Sequence, residues 1–369
     1  MYFYVFTNIF LMMKILLFTD SLGAGGAQRQ LVGLAKMLNE IGFHVKVCTY
    51  YNQDFYKSFL DNNHIENELI PHADNSRKRI TSVRSYFIKE NPDWVIAYQE
   101  TPSLVSCMCR LLGAKFKLIV SERNTTQQIG MNERVRFFLY RFADAIVPNS
   151  YAQEKFLISR CPWMKRTVKT ISNFVDIESF SPVYKKRGDI ANFLVVGSIA
   201  ASKNTHGLLE ACKLLKQNQV KVHFTWYGWT DNPNAYMLEM KSLIKQYDIA
   251  DYVEFKNKRL DIAFAYKNAE YYCMPSFFEG TPNVLCEAIS SGLPSATSNV
   301  CDNAIYTKEG YNGVLFDPSK PAEIAASIEK LINLSEEDYS LFCHNSRNLA
   351  EERLSKEVFL NKYLDIIKS

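Results

Sequence analysis

No run of about 18 uninterrupted apolar residues occurs anywhere in the chain, so the sequence predicts no helix that crosses a bilayer. Concentrated charge of one sign is also missing. Lys and Arg number 43 against 39 Asp and Glu, spread along the length, for a net charge of +4. That balance excludes the basic footprint of a nucleic-acid binder. Cysteines never form the C-x-x-C pairs of a zinc or redox site. There are nine, an odd number, several inside apolar runs. They predict reduced core thiols in a reducing, cytoplasmic compartment rather than a disulfide scaffold. No D-x-D stands between candidate strands and no His or Cys cluster has ligand spacing, so no metal cofactor is expected. Internal repeats and low-complexity tracts are absent as well.

What the chain does have is enough apolar material for two cores: 369 residues, 47% of them hydrophobic. Single cores stop growing near roughly 250 residues. Short β-branched runs alternate with helical patterns, as in a parallel sheet with helical crossovers. Candidate strands are 14–18, 45–49, 94–97, 117–120 and 145–148, then 193–196, 222–226, 253–255, 271–274 and one near Ser295. Between the first two, residues 28–41 place Leu31, Leu34, Ala35, Leu38 and Ile41 at helical spacing. A polar stretch with Pro182 and the run Lys185-Lys186-Arg187-Gly188-Asp189 marks a linker. The expected division is a first α/β domain over 1–178, a linker over 179–191, a second domain over 192–355 and a closing helix over 356–369 that packs back on the first domain. Residues 1–12 are apolar but lack a basic n-region and a cleavage site, which points to a mis-assigned start ahead of Met12 or Met13.

After the first strand, Gly23-Ala24-Gly25-Gly26-Ala27-Gln28 opens the first helix. Gly25 and Gly26 allow close backbone approach, and the helix N-terminus offers unpaired N–H groups to an anion. The spacing is not G-x-G-x-x-G and no acid ends the second strand, so a plain tight turn fits equally.

A richer signal is Pro275-Ser276-Phe277-Phe278-Glu279-Gly280-Thr281-Pro282-Asn283-Val284-Leu285-Cys286-Glu287-Ala288. It reads as strand, loop and short helix, with Thr281 as N-cap and Pro282 as first helical residue. Glu279 falls on the loop and Glu287 one turn into the helix, at the carboxyl edge where open α/β sheets bind ligands. Amides of Gly280, Thr281, Asn283, Val284 and Leu285 suit phosphate or sugar hydroxyls, and Glu287 suits a ribose diol. The same residues also read as acids favouring a helix N-terminus.

This segment resembles the E-x7-E signature of the retaining family 4 glycosyltransferases of GT-B fold. Other matches follow in family order: Gly25-Gly26-Ala27-Gln28-Arg29, Asn149-Ser150, Ile171-Ser172-Asn173-Phe174-Val175-Asp176, and Val196-Gly197-Ser198-Ile199-Ala200-Ala201-Ser202-Lys203-Asn204. The resemblance covers the chain from Met12. It implies two Rossmann-like doubly wound domains facing across a cleft, with the acceptor on the first and a nucleotide sugar on the second. By resemblance, Glu287 binds the ribose, Glu279 approaches the donor sugar, and Lys203 neutralises the diphosphate. Gly197, Ser198 and the 280–285 turn, including Pro282, border the donor, commonly a UDP-sugar. The nucleotide sugar is a substrate, so no cofactor is implied.

Two positions depart from the family pattern. Ser198 stands where a diphosphate-binding arginine is usual, and Ser121-Glu122-Arg123-Asn124 stands where many relatives have a histidine. Arg123 or Glu122 is the candidate replacement, with a strand-end ion pair as the structural alternative. The implied chemistry is retaining transfer of a hexose or N-acetylhexosamine to a glycan or lipid-linked acceptor, in surface polysaccharide or lipopolysaccharide synthesis. A sugar-nucleotide epimerase and a non-catalytic sugar-nucleotide binder are the alternatives. Two basic stretches interleaved with apolar residues predict peripheral contact with the inner membrane surface: Arg77, Lys78, Arg79, Arg84 and Lys89, and Arg134, Arg136 and Arg141 beside Phe137, Phe138 and Phe142. Both equally suit helices packed on a sheet.

Overall fold

The computed structural model describes residues 13–369 except 124, 125, 127, 128, 185, 229, 232 and 260. The start-site reading of residues 1–12, Asn124 and Lys185 therefore lie outside the described residues. The chain divides into two compact units. One runs to Asn173 and takes in Phe359–Ser369; the other is Phe174–Val358.

In the first unit, β1 (Lys14–Phe18), β2 (His44–Thr49), β3 (Glu66–Leu69), β4 (Trp94–Tyr98), β5 (Lys117–Glu122) and β6 (Ala145–Pro148) form one parallel sheet in the order β3-β2-β1-β4-β5-β6. Helices cover both faces, so the central strands are apolar at every position instead of alternating. Ile15, Leu16, Leu17 and Phe18 of β1 are all fully buried.

The second unit repeats the plan. Its strands β7 (Ala191–Val196), β8 (Val222–Gly228), β9 (Val253–Asn257), β10 (Tyr271–Met274), β11 (Ser295–Ser298) and β12 (Gly313–Phe316) lie in the order β12-β11-β10-β7-β8-β9. Counted from its own first strand, this is the same 3-2-1-4-5-6 order, the doubly wound Rossmann arrangement. Phe193, Val195, Tyr271 and Cys273 feed one core, while Leu194, Tyr272 and Met274 feed the core on the opposite face.

Residues expected to form a linker are packed into the second unit. Phe180 is buried and meets Tyr266 edge to face, and Arg347 donates to the carbonyls of Ile177 and Phe180. Arg187 pairs with Glu336 at 2.8 Å and lies over the Tyr339 ring. The unit boundary falls at Asn173/Phe174 because Val175 and Phe180 belong to the second core. At the other end, Tyr363 of the final helix, Lys356–Ile367, shares a 2.9 Å hydrogen bond with Tyr98 inside the first unit.

Candidate active site

In a doubly wound sheet the strand order reverses at one point, and ligands bind in the crevice at the carboxyl ends there. In the second unit that point lies between β7 and β10, which pair directly, Leu194 opposite Tyr272. The loop after β7 carries Gly197, Ser198 and Lys203; the loop after β10 carries Ser276, Glu279 and Gly280. The backbone ties the two together, with Phe277 N–H donating to Ser202 O at 3.0 Å.

Lys203 Nζ lies 2.6 Å from Glu279 Oε1, and Ser276 Oγ donates to the same oxygen at 2.6 Å. An ammonium has three N–H donors, so pairing with one carboxylate leaves capacity for an anion. Lys203 is aimed by the turn that carries it. Gly197 has φ +155, a conformation side chains rarely adopt, and its carbonyl accepts from Trp226 Nε1 at 2.9 Å. Asn204, in the left-handed region at φ 54, caps the next helix, Thr205–Gln217, by accepting from Gly207 N–H. Gly228 lets the turn sit close: a Cβ there would lie 2.6 Å from Gly197 O. Ser198 is exposed beside it.

The helix carrying Glu287 is Asn283–Ser290, with Pro282 as its N-cap at φ −78 and ψ 79. It thus begins one residue later than the sequence pattern suggests, because Thr281 and Pro282 stay in the loop. Pro282 has no N–H, and the amides of Asn283 and Leu285 donate to Thr281 O and Pro282 O. The expectation that amides throughout 280–285 hold a ligand therefore narrows, with Gly280 N–H and Val284 N–H in the same turn as the natural candidates.

Glu287 is buried. Tyr266 OH lies within 3.2 Å of Glu287 Oε2 and donates to Val284 O at 2.9 Å. Tyr272 is fully buried on the neighbouring strand, and burial pushes its phenol well up, with the charges of Glu279 and Glu287 adding to the effect. The second unit's site thus gathers two carboxylates, one ammonium and a loop turn at one sheet edge. Tyr266 and Ser276 escaped the sequence reading. Ser276 is legible after the fact, three residues before Glu279; nothing in the sequence joins Tyr266 to Glu287.

In the first unit the equivalent reversal lies between β1 and β4. Gly25 is the N-cap of helix Gly26–Glu40, as the glycine turn suggests. The polar group there is Asp20, whose Oδ1 accepts from Ser21 N–H at 2.6 Å and from Gln28 Nε2 at 3.0 Å. A carboxylate at the turn makes this edge a match for hydroxyls rather than for an anion.

Arg123 is buried. Its guanidinium donates to Asn173 Oδ1 at 2.9 Å and Tyr363 OH at 2.7 Å and lies 4.0 Å over the Tyr98 ring. Those contacts make it a fastening of the final helix. Glu122 beside it is not a surface group either: it is fully buried, accepts from Tyr140 OH, and pairs with Arg136 at 3.2 Å. Burial raises the Glu122 carboxyl, against the opposing pull of Arg136. Arg136 accordingly leaves the basic face on which the sequence pattern placed it.

Solved structures that share this fold include a glycosyltransferase of Rickettsia africae, with a TM-score of 0.84 over 96% of this chain and 98% of its own, at 14% identity. HepE of Anabaena, solved in complex with UDP, superposes with a TM-score of 0.84 over 96% of this chain and all of its own, at 19% identity. The fold is GT-B: two Rossmann-like domains, each with a six-stranded parallel sheet. Residues 24–179 match Glycosyltransferase Family 4 and residues 176–348 match Glycosyl transferases group 1. The chain belongs to the group 1, family 4 GT-B glycosyltransferases and is a transferase of glycosyl groups. An α-1,4-N-acetyl-D-galactosaminyltransferase of Campylobacter jejuni that acts on an undecaprenol-diphosphate-linked glycan is 27% identical over 345 residues, 87% of this chain and 89% of the relative. An Escherichia coli α-1,3-galactosyltransferase that transfers galactose from UDP-Gal to GlcNAc-diphosphoundecaprenol is 26% identical over 199 residues, about half of each chain.

Proposed function

We propose that this protein transfers a hexose or N-acetylhexosamine, with retention, from a UDP-sugar to a glycan or lipid-linked acceptor in bacterial surface polysaccharide or lipopolysaccharide synthesis. The observation that carries the reading is the pairing of Lys203 with Glu279 at the strand-order reversal, with the buried Glu287 on the adjoining helix. Glu287 receives the ribose diol, Lys203 and the 280–284 turn receive the diphosphate, and Glu279 faces the sugar. The UDP complex of one structural relative and the UDP-Gal donor of one sequence relative support the choice of base.

No nucleophile is required if the departing diphosphate takes the acceptor hydroxyl's proton. The protein then contributes positioning and stabilisation of the leaving charge, which are large terms where the donors are preorganised. With Ser198 in place of a second cation, Lys203 carries most of that charge. No metal enters this scheme. Peripheral contact with the inner membrane surface is part of the reading, since a lipid-linked acceptor is held there.

Thermal shift against UDP, GDP and their sugars tests it. A ligand at one hundred times its Kd stabilises the fold by about 2.7 kcal/mol. Stabilisation by UDP compounds, lost in Glu287→Ala, is the expected result; stabilisation by none of them overturns the donor assignment.

A further inference from the structure

Helix Met131–Leu139 is amphipathic in an unusual sense, because it keeps apolar residues on its outer face too. Arg136, Phe137 and Leu139 are buried, yet Met131 is 73% exposed, Val135 48% and Phe138 59%. These three stand at i, i+4 and i+7, one helical stripe, with Arg134 on the same face.

Beside this stripe a cavity of about 650 Å³ runs along that helix, from Ile129 just before it and Arg134 near its start to Phe138 and Arg141 at its end, and meets the end of helix Tyr151–Arg160. Three arginines line it, Arg134, Arg141 and Arg160, together with Phe138, Phe156 and Trp163; no acidic side chain does. Arg141 lies 5.3 Å from the Phe138 ring centre and 5.2 Å from that of Trp163, and Arg160 lies 5.8 Å from that of Phe156. None of the three arginines forms an ion pair among the described residues.

Charge around the cavity is lopsided. Leaving out Arg136, which is buried against Glu122, residues 129–169 hold seven basic and three acidic side chains, a surplus of four in a chain whose whole net charge is +4. The three acids are engaged locally: Glu133 with the Gly130 amide, Asp144 with Arg110, Glu154 with Thr170. Helix Arg79–Glu90, the other basic stretch, behaves differently. Arg79 donates to Ala73 O and Asp74 O, Arg84 donates to Leu112 O, and Val83, Tyr86 and Phe87 turn inward.

Helices Met131–Leu139 and Tyr151–Arg160 run antiparallel to the strands they follow, β5 and β6, so their last turns, with Phe138, Arg141 and Arg160, lie towards the amino edge of the sheet. The glycine turn and Asp20 lie at the carboxyl edge.

We propose that this groove docks an anionic phospholipid of a bilayer surface, the headgroup phosphate among Arg134, Arg141 and Arg160 and the acyl chain against Phe138, Phe156 and Trp163. Guanidinium groups match phosphate geometry, and an apolar stripe flanked by cations is the composition of an interfacial helix. The inference rests on the reading of peripheral membrane contact and names the surface that makes it.

The test is flotation of the full chain with vesicles of phosphatidylcholine alone and with phosphatidylglycerol added, alongside thermal shift with UDP. The wild type is expected to float only with phosphatidylglycerol. Losing two basic contacts in Arg141→Gln/Arg160→Gln should weaken partitioning roughly tenfold or more. Phe138→Ser should weaken it independently, and brominated lipid should quench Trp163 emission, a signal absent in Trp163→Phe. UDP stabilisation should be unchanged in every variant. If the double variant floats like the wild type, or if the wild type stays in the supernatant while UDP still stabilises it, the groove proposal is overturned and the donor reading stands. Flotation that follows the arginines in a protein UDP does not stabilise would support the groove and sink the donor reading.

Discussion

Lys203 Nζ stands 2.6 Å from Glu279 Oε1, joining the loops after β7 and β10 across the point where the strand order reverses. In the proposed function, an arriving diphosphate shares that ammonium with the carboxylate. Binding and leaving-group stabilisation are thereby linked through one side chain.

Lys203→Ala should lower kcat by about 100- to 1000-fold, the usual cost of removing one preorganised donor to a developing charge. The pair is partly exposed, so the melting temperature should move little. Lys203→Arg should recover part of the rate. Nucleotide release measured with and without acceptor checks this; an unchanged kcat in Lys203→Ala would place the charge stabilisation elsewhere.

Tyr266→Phe should weaken UDP binding a few-fold, since a neutral hydrogen bond is worth about 0.5–1.5 kcal/mol net. It orients Glu287 without touching the ligand, so isothermal titration should show a small loss here and loss of measurable binding in Glu287→Ala. Equal effects from the two variants would argue that Glu287 is only a packing partner of Tyr266.

Gly228→Ala should damage the donor loop from a distance. The added Cβ would press on the Gly197 carbonyl, a backbone atom with little room to give. Reduced UDP stabilisation together with a lower melting temperature is expected, whereas Gly310→Ala tests only a strained turn, because its Cβ meets nothing within 4 Å. Intact UDP binding in Gly228→Ala would show that the turn tolerates displacement.

Glu122 provides a pH signature. Burial raises its carboxyl above the ordinary value, so the folded state holds the proton more tightly than the unfolded state does. Its contribution to stability is complete below the unfolded carboxyl value and is lost as pH rises through the raised folded value. Glu122→Gln carries no titrating group and should lack that decline. Melting curves of both proteins across mildly acidic to neutral pH should diverge in the variant's favour as pH increases; parallel curves would contradict the raised value.

Chelation should leave transfer intact. In the proposed scheme Lys203 and backbone amides meet the leaving charge, so activity measured after EDTA treatment and desalting should equal that of the untreated protein. Loss of activity restored by Mg2+ or Mn2+ would require a cation in the donor site.

The residues of the proposed donor site are legible as a local pattern: Glu279, Gly280 and Glu287 sit within nine positions, and Lys203 follows Gly197 at short range. The central strands were legible because burial on both faces makes them continuous apolar runs. The two strands that the pattern missed, β3 and β12, are the edges of their sheets and only four residues each. In β3 the sequence Glu66-Asn67-Glu68-Leu69 carries no apolar run at all. What stayed hidden depends on partners distant in the chain. Arg136 resembles a surface cation until Glu122 is seen against it. Phe180 resembles linker until Tyr266 closes over it. Tyr266 itself is an ordinary helix tyrosine until Glu287 arrives 21 residues later.

The closing helix makes the first unit a discontinuous one, and this sets an order of events on the ribosome. Residues Phe174–Val358 are synthesised as one block between the two pieces of the first unit. At about 5–20 residues per second, that block takes roughly ten to forty seconds to emerge. Through that interval Arg123 and Tyr98 lack the Tyr363 hydroxyl that later meets both. The N-terminal unit stays incompletely closed until residues Phe359–Ser369 are made.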